Sequence, residues 1–185
     1  MIYLVRHGLD DERFIGGYSD VGLIDIGIKQ VQEVGKWILQ NDFDIRKIYS
    51  SDIKRALQSA RIIGEYLNLD ISVDSVLREQ DKGLLNGMKK DDALILYPEY
   101  VKCDDVRKKY PNGESLLDLY VRVKELLENI SIYDNSLVVT HRGVINMIYY
   151  LTLGDEIDMN KDRYDVCHAS VHEFNICKSK IRRIR

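Results

Sequence analysis

Residues 2–8, Ile-Tyr-Leu-Val-Arg-His-Gly, run four apolar side chains together and close on a cation, an imidazole and a glycine. An unbroken apolar run that stops at such residues reads as a strand covered on both faces, the mark of a central strand in a parallel sheet. The pattern returns at residues 136–140, SLVVT, followed at once by His141-Arg142-Gly143 and the apolar segment Val144–Leu153. That second run passes from strand straight into helix.

Between these two runs the chain alternates. Asp10 to Gly22 is polar and rich in turn formers, so it reads as a loop. Val31, Val34, Ile38 and Leu39 recur at helical spacing up to Asn41-Asp42. A short strand, Ile45–Tyr49, leads to Ser50-Ser51-Asp52, residue types suited to cap the helix that carries Ala56, Ala60, Ile63 and Leu67. Residues 71–76, ISVDSV, predict another strand, followed by the glycine-punctuated stretch Leu77–Gly87 and a short helix ending near Pro98. Leu116, Leu119, Val123, Leu126 and Ile130 define a long helix with Glu114 placed in its first turn. The tail, Ser170–Asn175 and Lys180–Ile184, alternates like antiparallel strands, and its basic residues suit a guarded sheet edge. Strands alternating with helices predict one α/β domain over residues 1–185, a three-layer α/β/α arrangement with a mostly parallel central sheet. Its ligand site belongs at the carboxyl ends of the strands.

Composition narrows the function. The 185 residues carry 27 Lys+Arg against 30 Asp+Glu, a net charge of −3, so no global positive field draws in nucleic acid or a membrane surface. Three cysteines without a CxxC pair suit a reducing compartment, and the short apolar run before Arg6 is too brief for a leader or a membrane span. A cytoplasmic location is expected.

At the predicted strand ends stand Arg6-His7, Ser50-Ser51 with Arg55 shortly after, and His141-Arg142. Guanidinium forks match phosphate oxygens and stay charged at any working pH, so two histidines and two arginines on one edge suggest a dianion site. An imidazole held by a buried strand is placed to attack phosphorus as well as to bind it.

These residues resemble the histidine phosphatase superfamily, the phosphoglycerate mutase-like proteins, over nearly the whole chain. The resemblance rests on LVRHG at Leu4–Gly8, then Leu23, Gly27 and Gln30 in the spacing L-x-x-x-G-x-x-Q, then SSDIKRALQSA at Ser50–Ala60. It continues through LREQDKG at Leu77–Gly83, NGES at Asn112–Ser115 and VVTHRG at Val138–Gly143. It implies a phosphoglycerate mutase-like fold, His7 as nucleophile and Glu79 as general acid and base, with Arg6, Arg55 and His141 holding the phosphoryl oxygens. Asp81 competes with Glu79, since both lie on one irregular loop. No metal or other cofactor is implied, and Cys167-His168 with His172 lacks a fourth ligand at the usual spacing.

The chain departs from the family after Gly8, where Leu9–Arg13 lacks the usual Asn; Arg13, or backbone near Gly16, is the candidate replacement. Arg142 stands where many relatives have Gly, and it is a candidate contact for a second anionic group on the substrate. Tyr97, Tyr100 and Tyr110 are candidates for the substrate entrance. The short segment between Glu79 and Glu114, and NGES followed by LLDLYVRV, resemble the phosphatase branch, including α-ribazole phosphatase-like enzymes; LLNG at Leu84–Gly87 resembles the mutases. The expected function is a metal-independent phosphomonoesterase that forms phosphohistidine on a small phosphorylated metabolite, alone or as a homodimer. A mutase, or a phospho-ligand-binding protein without turnover, is the alternative.

Overall fold

A computed structural model describes residues 1–101 and 103–185. Its centre is β1 (Ile2–Arg6), whose five residues are all buried. Alternation along the strand explains why. Ile2 and Leu4 face one hydrophobic core with α5 (Leu116–Glu128) and α6 (Arg142–Leu153), whereas Tyr3 and Val5 face a second with α1 (Asp25–Gln40) and α2 (Lys54–Leu67). Helices cover both faces, giving the three layers expected.

The sheet has six strands in the order β3-β2-β4-β1-β5-β6, with β2 at Lys47–Ser50, β3 at Ile71–Val73 and β4 at Ser136–Thr140. β1 to β4 run parallel; β5 (Val171–Asn175) and β6 (Lys180–Arg183) join antiparallel, so the sheet is mixed at one edge. β6 is that edge strand, and its Arg182 side chain bonds Glu173 at 2.7 Å.

Register delivers the residues of interest to one place. Arg6 pairs with Thr140 and Ser50 with Val139, so the chain leaves β1, β4 and β2 side by side at His7, His141 and Ser51. The His7 amide donates to Thr140 O at 3.0 Å, and the Ser51 amide to Val139 O at 3.0 Å. Just beyond, the β1 exit crosses the first turn of α1 at very close range: a Cβ on Gly27 would lie 2.0 Å from Leu9 O, and one on Gly8 would lie 2.4 Å from Gly27 O. Gln30 Oε1 accepts from the Leu9 amide at 2.9 Å. Gly27 and Gln30 thus act as the seat on which the His7 turn rests.

Several local expectations are corrected. The strand at residue 71 ends at Val73, because the Asp74 carboxylate accepts from the Val76 amide and winds Ser75–Leu77 into a 3₁₀ turn. Ser50, Ser51 and Asp52 do not cap α2, which has Ile53 at its N-cap without a side-chain bond; Asp52 instead binds Arg78 at 2.6 Å. Glu114 lies ahead of α5, where Ser115 and Asp118 form a reciprocal capping box. The short helix expected to end near Pro98 is α3 (Lys90–Leu96), and Pro98 opens a further short helix, α4 (Pro98–Val101), since proline fits a first helical turn. Among the described residues no helix is long and apolar enough to cross a membrane.

Candidate active site

His7 is 4% exposed and its tautomer follows from its partners. Nδ1 lies 2.7 Å from Gly8 O, which only accepts, so Nδ1 carries the proton. Nε2 keeps its lone pair and accepts from Arg55 Nε at 3.2 Å. Burial, then the nearby charge of Arg55, holds the His7 pKa well below the ordinary histidine value, so the ring is neutral near pH 7.

Two buried arginines flank it. Arg55 donates to Gly17 O at 2.9 Å and Ser19 Oγ at 3.3 Å, and its Nε faces Asp10 at 3.4 Å. Arg6 donates to Val166 O at 2.8 Å and meets His168 Nε2 at 2.5 Å, while its Nε is buried without a partner among the described residues. Burial, then Arg142, lowers the Arg6 pKa to about 10, which leaves it charged. His141, at the N-cap of α6, stands 5.1 Å from the His7 ring and meets Ser51 Oγ at 2.9 Å through Nε2. Ser51 Oγ also accepts from the Ile53 amide at 3.2 Å. His141 Nδ1 is likewise buried without a partner among the described residues. Among the described residues Arg6 Nε is thus a donor lacking an acceptor and His141 Nδ1 a ring nitrogen lacking a partner, a costly arrangement that an oxyanion beside Arg6 relieves.

Glu79 comes from the loop after β3. Its Oε2 accepts from the Gly143 amide at 3.1 Å and its Oε1 from the Gln80 amide at 3.0 Å. Arg122 on α5 braces that loop, donating to Val76 O at 2.7 Å, Arg78 O at 2.9 Å and Glu79 O at 3.1 Å while pairing with Glu114 at 3.0 Å. Asp81 is spent elsewhere, accepting from the Gly83 amide at 2.8 Å and Asn86 at 2.6 Å. Gly143 is the tight point, for a Cβ there would sit 2.1 Å from Glu79 Oε1. Gly143→Ala is expected to displace Glu79 and lower kcat on the order of 10²-fold, with circular dichroism unchanged. Wild-type kcat in that variant would contradict the role of this contact.

Arg6, His7, Arg55, Glu79 and Arg142 line one cavity of about 420 Å³. His141, fully buried, is not itself among the lining residues but stands next to His7, which is. Tyr100 and Tyr110 also line it, stacked with ring centres 5.9 Å apart, whereas Tyr97 does not. Arg13 is the expectation that fails. Its exposed guanidinium is folded back on Asp11 at 2.6 Å and is no part of the wall, because a loop-tip arginine finds the adjacent carboxylate first. Arg142 does reach the wall, with its outer end on Asp162 at 3.2 Å.

Sequence reasoning passed over Asp10, Arg122, Lys82 and Lys161 as site residues, and weighed His168 only as a metal ligand. Asp10 lies two residues after Gly8 and carried a signal; the others are brought in by distant loops and helices. His7, Asp10 and His168 can each offer a ligand atom within 4.8 Å of the others. Yet Arg55 contacts two of these residues and Arg6 the third, and fixed cations at that range oppose a dication and favour an anion.

The buried histidines also couple stability to acid. His172, between Tyr149 Oη and Ser170 Oγ, is lowered to about 4 by burial, and His7 and His141 are lowered for the same leading reason. Above about pH 6.5 neither the folded nor the unfolded chain protonates them and the linkage vanishes. Below it the unfolded chain binds protons that the folded chain refuses, each histidine costing up to about 2 kcal/mol by pH 5. Tm is therefore expected to fall by at least about 5 °C from pH 7 to pH 5; a flat Tm over that interval would contradict the buried neutral rings.

Comparison with known proteins agrees with this geometry. The family model of the histidine phosphatase superfamily (branch 1) matches residues 2–185. The chain is 36% identical over 159 residues to phosphoglycerate mutase-like protein 4 of Arabidopsis thaliana, covering 80% of this chain and 69% of that one. It is 30% identical over 187 residues to the protein named uncharacterized phosphatase PhoE of Bacillus subtilis (strain 168), covering 98% and 91%. The solved structure of Bacillus stearothermophilus YhfR superposes with a TM-score of 0.82 at 22% identity, covering 99% and 94%. With the RHG turn, both arginines and both histidines gathered at the carboxyl edge of a phosphoglycerate mutase-like sheet, the chain belongs to the histidine phosphatase superfamily.

Proposed function

We propose that this protein is a metal-independent phosphomonoesterase that works through phosphohistidine on a small phosphorylated metabolite. The observation that carries this reading is the presentation of a neutral His7 Nε2 between two buried guanidiniums, in the same cavity as Glu79. In the first step Nε2 attacks phosphorus, the P–O ester bond breaks, and Glu79 delivers a proton to the leaving oxygen. Arg55, relieved of its bond to Nε2, turns to the phosphoryl oxygens along with Arg6 and His141, where charge builds in the transition state. In the second step Glu79 takes a proton from water, water attacks phosphorus, and the P–N bond breaks to release inorganic phosphate and restore Nε2.

A relative named as a phosphatase aligns with nearly the whole chain, which favours hydrolysis. The mutase reading draws on a relative named mutase-like. Hydrolysis of phenyl phosphate in EDTA tests the proposal: steady release of phosphate supports it. Phosphoryl exchange between phosphoglycerates without net hydrolysis replaces it by the mutase, and binding of phosphate with neither activity replaces it by a binding protein.

A further inference from the structure

Arg55 Nε carries a single hydrogen, and two acceptors face it. His7 Nε2 lies 3.2 Å away and Asp10 Oδ2 lies 3.4 Å away. At rest the N–H is shared between an imidazole lone pair and a carboxylate, a three-centre arrangement. Phosphoryl transfer upsets this sharing, because the lone pair on His7 Nε2 is the pair that bonds to phosphorus. From that moment Nε2 accepts nothing, and a buried guanidinium N–H has lost its nearer partner. Asp10 Oδ2 is already in place to receive it.

The carboxylate is built into the site. Asp10 pairs with Leu23 in an antiparallel bridge, one residue beyond Leu9, which rests on Gly27, and its side chain is 13% exposed. Its other oxygen lies 3.7 Å from His168 Nε2, which meets Arg6 at 2.5 Å. Among the described residues Arg55 is the only arginine in ion-pair contact with Asp10. The outer nitrogens of Arg55 donate to Ser19 Oγ and Gly17 O, one bond each, so each keeps a second hydrogen for a phosphoryl oxygen. Nε can therefore pass to Asp10 while the guanidinium stays on the phosphoryl group. A carboxylate this close to a phosphate cradle repels the guest, so its contribution lies in the reaction and not in ground-state binding.

We propose that Asp10 is a positioning residue for phosphoryl transfer, taking over the Nε–H of Arg55 as His7 Nε2 bonds to phosphorus. The P–N bond forms and the P–O ester bond breaks; the Arg55 proton stays on Nε while its hydrogen bond moves from nitrogen to oxygen. When water cleaves the P–N bond, Nε2 regains its lone pair and shares the N–H again. The inference rests on the phosphomonoesterase reading, since it requires phosphohistidine.

The test is single-turnover release of 4-nitrophenol from 4-nitrophenyl phosphate with enzyme in excess, which times the transfer to Nε2 alone. Asp10→Ala is expected to slow it on the order of 10²-fold, and Asp10→Asn, which keeps an oxygen for Arg55, by less than about tenfold. The loss in Asp10→Ala is expected to be equal, within about threefold, for an alkyl phosphate, because no proton is delivered to the leaving group. Inorganic phosphate is expected to bind Asp10→Ala at least as tightly as wild type, which also reports that the variant is folded. If Asp10→Ala does not fold, the crystal structure of wild type with vanadate bonded to His7 Nε2 decides: Arg55 Nε is expected within about 3.0 Å of Asp10 Oδ2. The inference is overturned by transfer in Asp10→Ala within about threefold of wild type, by Asp10→Asn no faster than Asp10→Ala, or by phosphate binding that weakens in step with turnover. It is equally overturned by a vanadate complex in which Nε turns to a vanadate oxygen and Asp10 comes no nearer. Any of these results with an active wild type leaves the phosphomonoesterase reading standing; a wild type that neither releases nitrophenol nor bonds vanadate at His7 overturns that reading as well.

Discussion

His7→Ala is expected to lower metal-free hydrolysis of phenyl phosphate by about 10⁴-fold or more, because it removes the atom placed to accept the phosphoryl group while leaving the cationic cradle in position. Arg6 and Arg55 are anchored by Val166 O, Gly17 O and Ser19 Oγ rather than by the imidazole alone. Inorganic phosphate is therefore expected to bind the variant within about tenfold of wild type, since its charge is met by the same guanidiniums. Deleting the ring removes the imidazole acceptor of Arg55 Nε and leaves it facing Asp10, a change of about 1 kcal/mol that thermal unfolding measures separately from turnover. Labelling with radioactive phosphoester and quenching in alkali should trap a phosphoenzyme in wild type and none in the variant. Turnover near wild type in His7→Ala would remove the phosphohistidine mechanism.

Glu79→Gln should cost on the order of 10²–10⁴-fold, in a way that depends on the leaving group. Glutamine retains an oxygen for the Gly143 or Gln80 amide, so the loop braced by Arg122 is expected to hold its shape. What is lost is the transferable proton. An alkyl phosphate, whose alkoxide leaves poorly, should lose more than 4-nitrophenyl phosphate, whose phenolate leaves with little help. The second step also lacks its base, so with the nitrophenyl ester phosphohistidine should accumulate and appear as a burst. Equal losses for both esters, with no burst, would take Glu79 out of acid and base chemistry and leave it a structural role at Gly143.

Both expectations rest on residues whose placement was legible to different degrees. β1 and β4 could be read because five buried residues in succession have no polar position to spare, and such a run in an alternating α/β pattern is a central strand. The long helix of residue 116 was equally plain from its spacing, but Glu114 was not, because the capping preference of Ser115 and the reach of Arg122 compete for the turn before it. The strand read at residue 71 was too long because one carboxylate, Asp74, turned the backbone by bonding two residues ahead. Arg13 was read toward the site by its position after the RHG turn, and a neighbour two residues away, Asp11, claimed it.

By itself the sequence determined the strands, the edge of the sheet at which they end, and hence that Arg6, His7, Arg55 and His141 meet, since buried runs and sheet connectivity are encoded in local patterns. Only the tertiary structure decided that Glu79 rests on Gly143, that His168 and Asp10 close around Arg6 and Arg55, and that Lys82 lies in the same wall as Lys161. Residues 64 positions apart in the Glu79–Gly143 contact share no periodicity. Their meeting depends on how irregular loops pack over the sheet edge, where shape and electrostatics, and not local backbone preference, select the conformation.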